Sequence, residues 1–178
     1  MTGARRGVWQ RLYPALRWPG VGALVALGLW GSLQLYAPYA VGPEQPLPFS
    51  HRIHAGERGI SCLFCHTTAD RSPDAGMPEV ARCLLCHNVT IRDFPPIQEL
   101  HAYYDRNEPV PWERVYQFPD HVRFNHEQHL TNGVDCGECH GDVKRMDRVT
   151  PAMPVAMGFC IDCHRKNKAP TDCTICHY

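Results

Sequence analysis

Neither sign of charge is in excess in this chain: 18 Lys and Arg face 18 Asp and Glu, for a formal net charge of zero. There is no basic stripe and no nucleic-acid motif, which argues against nucleic acid as a partner. Convincing strand patterns are lacking, and 16 prolines and 14 glycines in 178 residues work against long regular elements. A chain this irregular is short of material for a side-chain core of its own. Cysteine is absent outside one repeated motif, so an irregularly spaced disulfide framework is excluded as well.

That motif is Cys-x-x-Cys-His, and five copies use all ten cysteines. They are Cys62, Cys65 and His66; Cys83, Cys86 and His87; Cys136, Cys139 and His140; Cys160, Cys163 and His164; and Cys173, Cys176 and His177. Two thiols a short turn apart suit the two vinyl groups of a porphyrin, and the histidine that follows is then held under the iron. Zinc sites take such pairs two by two, and five is odd. Thioredoxin-like pairs come singly and need no following histidine. The expected cofactor is therefore five covalently bound haem c, with the ten cysteines as anchors and His66, His87, His140, His164 and His177 as proximal ligands. The expected fold is mostly irregular with short α-helices, built around the haems, and the expected work is electron transfer. No residue then needs a catalytic role.

Charge is also missing from Trp18 to Gly42, a run dominated by apolar residues and long enough to span a bilayer. Arg5, Arg6, Arg11 and Arg17 precede it with no acid among them, which leaves 14 basic against 18 acidic side chains in the rest. The positive-inside rule then predicts a cytoplasmic tail over 1–17, a transmembrane helix over 18–41, and a domain over 42–178 on the periplasmic side of a bacterial inner membrane. A cleaved signal peptide is the competing reading, but no clean Ala-x-Ala site precedes the polar stretch. Residues 43–48 read as a stiff linker.

The domain contains an internal repeat. Phe49, His51 and His54 precede the first motif as Phe124, His126 and His129 precede the third. Met77–Pro78 stands before Cys83 as Met153–Pro154 stands before Cys160. Between the halves lies an insertion, 88–120, without cysteine and rich in proline; a long surface loop is expected there, with a short helix around Ile97–Tyr104 and a docking role.

Six histidines remain for the sixth coordination positions: His51, His54, His101, His121, His126 and His129. Residues three apart share a helix face, so each His-x-x-His can serve two neighbouring porphyrins. The zinc-protease reading of His126–His129 fails because that motif is His-Glu-x-x-His and Leu130 stands where its second histidine belongs.

Phe-x-His-x-x-His followed by Cys-x-x-Cys-His resembles the class III multihaem cytochromes. That resemblance implies His51 for the first haem, His54 for the second, His126 for the third and His129 for the fourth. For the fifth it points to Met157, with His121 as rival and Met153, Met77 or His101 behind them. Residues 48–57, 111–126, 157–165 and 171–177 are similar to the pentahaem subunit of alternative complex III, which also has one N-terminal membrane helix. The chain departs from that family at Tyr116, where many members have histidine, so no ligand role is carried over there. The resemblance implies a menaquinol oxidoreductase with an iron–sulfur, molybdopterin-like subunit, polytopic quinol-binding membrane subunits, a monohaem cytochrome c and a periplasmic electron acceptor. A stand-alone membrane quinol dehydrogenase feeding a periplasmic reductase is the alternative, and a small-molecule reductase a more distant one.

Overall fold

A computed structural model of the chain describes residues 20–35 and 42–178. It divides into two units, Met1–Ala40 and Val41–Tyr178, each considered by itself.

In the first unit, residues 20–35 form one helix, α1, roughly 24 Å long at the usual rise. Val21, Leu24, Leu27, Trp30 and Leu33, spread around its circumference, are all more than half exposed. Among the described residues no helix is long and apolar enough to cross a membrane. The rest of the expected 18–41 span, and the tail before it, lie outside the described residues.

The second unit has no strand among its described residues, in line with the sequence pattern. Its elements are a π-helical turn at Arg52–Glu57 and helices α2 (Cys62–Cys65), α3 (Val80–His87), α4 (Pro95–Asp105), α5 (His126–Thr131) and α6 (Cys136–His140). A 3-10 turn at Val143–Arg145, α7 (Met157–Lys166) and α8 (Cys173–Cys176) complete them. Local chemistry sets the ends. Pro95 and Pro96 open α4, where a missing N–H costs nothing, so this helix begins before the expected Ile97. Asn125 caps α5 through the Gln128 amide, and Asp135 caps α6 through the Gly137 amide at 2.8 Å. Gly141 then leaves α6 at φ +68°, where a side chain would be strained.

The motifs do not all open helices. The first, third and fifth start α2, α6 and α8, whereas the second closes α3 and the fourth sits inside α7. Apolar residues before those two, such as Val80 and Phe159, give the helix a start upstream of the first cysteine.

Side-chain burial is slight. Among the described residues, Leu47, Val80, Leu84, Leu100 and Val110 form one cluster, with Ile97, Tyr103 and Trp112 against it. No large side chain is fully buried among the described residues. The cluster pins α3 to α4 and takes in Leu47, so the expected linker is partly laid on the domain. Gln45 strengthens this with two hydrogen bonds to Glu113 backbone groups, at 2.9 and 3.0 Å.

Candidate haem-binding site

All ten cysteines are free thiols at half-buried or exposed positions. Burial first, and neighbouring thiols second, push Cys139 upward; the same order holds for Cys160 beside Cys176. Cys136 is likewise raised by burial and by Cys62, and Cys83 by burial and Cys65. These neighbours come from different motifs, so the attachment points are clustered. No three His, Cys, Asp or Glu side chains converge to hold a bare metal ion among the described residues. Paired thiols each followed by an imidazole suit a haem, which brings its own ring of nitrogen donors.

The imidazoles are arranged for the same purpose. An axial histidine ligates through one ring nitrogen and needs an acceptor for the N–H on the other, which fixes tautomer and ring direction. Nδ1 of His66 donates to the Gly76 carbonyl at 2.8 Å, and Nδ1 of His177 to the His121 carbonyl at 2.8 Å. Nδ1 of His87 reaches the Thr90 carbonyl at 3.3 Å, and that of His164 the Pro170 carbonyl. On the other set, His54 is bonded to Ser50, His126 to Pro73 and His129 to Asn125, at 2.8, 2.8 and 2.7 Å. In all seven, Nε2 is the nitrogen left for a metal.

The rings also come in pairs. Two imidazoles on opposite sides of one iron, each bonded at about 2 Å, have ring centroids roughly 6 Å apart. His54 and His87 stand 6.1 Å apart, His126 and His140 6.3 Å, His129 and His164 6.1 Å, and His121 and His177 5.6 Å. His51 lies close enough to His66 for that ring's charge to depress its pKa. Burial is the larger cause, and the two together with His54 bring His51 down to about 4. His140 is lowered too, by burial and then by His126 and His66. The downward direction in both rings favours the neutral form, the one able to ligate.

Residues 122–178 match the family described as cytochrome c7 and related cytochrome c. That stretch therefore resembles a cytochrome c7-like domain. Covalently bound haem c is the cofactor this family implies, and the cysteine and imidazole arrangement fits it. The chain is also 36% identical over 125 residues to the multihaem cytochrome c subunit of menaquinone reductase of Nitratidesulfovibrio vulgaris, covering 67% of this chain and 56% of that protein. It thus spans about half the length of that relative.

The c7-like region includes the second half of the internal repeat, and the first half has the same geometry. Phe49 lies edge-on to His51 at 4.8 Å and 87°, and stacks on His54 at 4.4 Å and 25°. Phe124 does the same to His126 at 4.8 Å and 86°, and to His129 at 4.5 Å and 24°. The two aromatics, each two residues before the first histidine, wedge the pairs apart; their fixed offset was the sequence signal for this role. The halves differ at the first histidine of each pair. His126 Nδ1 has the Pro73 carbonyl, whereas His51 Nδ1 is buried with no partner.

Of the rivals for the fifth iron, His121 is beside His177, with rings only 17° from parallel. Met157 heads α7 and is 63% exposed. His101, half-buried on α4, contacts the His87 carbonyl at 3.3 Å. Sequence reasoning missed the carbonyls of Gly76, Pro73 and Pro170, which carry no side-chain signature. It also missed Tyr116, whose hydroxyl and ring both reach the third motif.

Proposed function

We propose that this chain is a membrane-anchored pentahaem c-type cytochrome, an electron-relay subunit of a menaquinol oxidoreductase of the alternative complex III kind. In this reading it takes electrons from a quinol-oxidising or iron–sulfur partner and delivers them to a periplasmic acceptor. The arrangement that carries the reading is the pairing of histidines at 5.6 to 6.3 Å beside four of the five motifs. Haem c, when bound, supplies one-electron exchange between ferric and ferrous iron.

The residues would act as follows. The ten cysteines hold the porphyrins covalently, and each motif histidine ligates from one side. His51, His54, His126, His129 and His121 ligate from the other, at the first, second, third, fourth and fifth sites. His121 is preferred to Met157 because its ring already faces His177. The backbone carbonyls orient the rings, and Phe49 and Phe124 keep each His-x-x-His pair splayed toward two sites. If these residues held each haem iron from both sides, none would be open to a substrate, and the chain would work as a relay.

A second reading reverses the direction, with electrons delivered toward menaquinone. The name of the relative, a menaquinone reductase subunit, favours it. Gentle purification from membranes, with identification of the companions, decides between a complex subunit and a stand-alone dehydrogenase. Mixing the purified assembly with menaquinol and with menaquinone then decides direction. Wholly low-spin ferric spectra with five haems per chain are expected; a large high-spin fraction would favour the stand-alone dehydrogenase.

A further inference from the structure

Tyr116 is half-buried in the insertion, and its two ends touch different segments. Its hydroxyl donates to the Cys139 carbonyl at 3.3 Å and accepts the Ala152 N–H at 2.7 Å. Its ring meets His140 edge-on, with centroids 5.1 Å apart and planes at 81°. Gly141, next in the chain, has no room for a side chain, since a Cβ there would stand 2.8 Å from that of Ala152. The loop carrying Ala152 therefore closes directly on the end of the third motif, with Tyr116 as its clasp.

His140 needs such a clasp. The other four motif histidines give an Nδ1 proton to a carbonyl. The His140 ring makes no hydrogen bond among the described residues, so only packing sets its rotation. Yet it is the most closely aligned of the paired rings: His126 and His140 are 6° from parallel, against 58° for His54 with His87 and 54° for His129 with His164.

We propose that Tyr116 is a positioning residue, whose ring holds His140 parallel to His126. This rests on the reading that those two histidines share an iron. An edge-to-face contact resists turning of the ring it abuts, because rotation would bring the two rings into collision. The orientation matters electronically. Parallel axial rings interact with the same iron d orbital and give a rhombic low-spin ferric signal, while crossed rings give a more axial signal at larger g.

Electron paramagnetic resonance of the full, haem-loaded chain tests this without any activity measurement. The third-site signal is first identified as the one that H126M removes. Tyr116→Leu and Tyr116→Met should each move that signal to larger g and shift one of five midpoint potentials, leaving the other four in place. Tyr116→Phe should keep the signal, since the ring edge remains, while lowering Tm. Wild-type spectra from fully loaded Leu and Met variants would overturn the proposal. Should both aliphatic variants fail to attach five haems, Tyr116→Phe decides: a retained signal supports the ring edge, and a lost one overturns it in favour of the hydroxyl. If wild-type protein itself holds fewer than five haems, or H126M removes no low-spin signal, the underlying ligand reading fails instead.

Discussion

His51, a ligand in the proposed reading, has a buried Nδ1 without a partner, and burial holds its pKa near 4 against an ordinary 6.5. In the unfolded chain the ring takes a proton first as pH falls. Stability linked to this residue is therefore present above about pH 6.5 and is lost as pH drops toward 4. The sign is the same with the ring on iron, because a ligating nitrogen holds no proton. Tm followed across that window should fall with acid, and a His51→Leu variant should flatten the fall. The fifth site gives a second prediction at this scale. His121→Leu should turn one of five haems high-spin in the ferric spectrum, whereas Met157→Leu should leave the spectrum unchanged. The reverse result would move the ligand role to Met157.

The element with most at stake is the π-helical turn Arg52–Glu57, because it follows directly on His51 and contains His54. Its neighbour is the 3-10 turn Val143–Arg145, just after the third motif. Arg52 donates its amide to the Met146 carbonyl at 2.9 Å, and its guanidinium bonds Asp147 at 3.1 Å and pairs with Glu57. Hydrogen bonds from Ser50 and Arg52 hold the Asp147 carboxyl below its ordinary range. At exposed sites such pairs contribute little stability, so their role is to fix register. Gly56 fixes distance: a Cβ there would press into the Lys144 carbonyl oxygen. Gly56→Ala should therefore separate the two turns, lowering Tm by several degrees, on the order of 1–3 kcal/mol for an overpacked contact. Thermal melts of the haem-loaded protein check this, and an unchanged Tm would show that the turns can slide apart freely.

Across the whole molecule, the small Leu47–Val110 cluster and Ala69 are all the buried apolar core the polypeptide provides among its described residues. The porphyrins would supply the rest, so attachment and folding should be one event, as with structural metals. Protein made without haem attachment should give far-UV dichroism of a largely unfolded chain and rapid proteolysis throughout 42–178. A compact, protease-resistant apoprotein would contradict this.

The Cys-x-x-Cys-His repeats, the two His-x-x-His units and the doubled order of the chain were legible in the sequence, because the haem attachment and ligation proposed for them would demand particular atoms at short, fixed spacing. The α4 helix was legible too, displaced only by its opening prolines. What tertiary structure alone decided is which groups meet across long separations: His121 with His177, His126 with the Pro73 carbonyl, and Tyr116 with both His140 and Ala152. Backbone carbonyls are the same at every residue, and a lone tyrosine or histidine in a proline-rich stretch has no periodicity to betray it. Their roles come from the path of the chain between motifs, which spacing along the sequence does not encode.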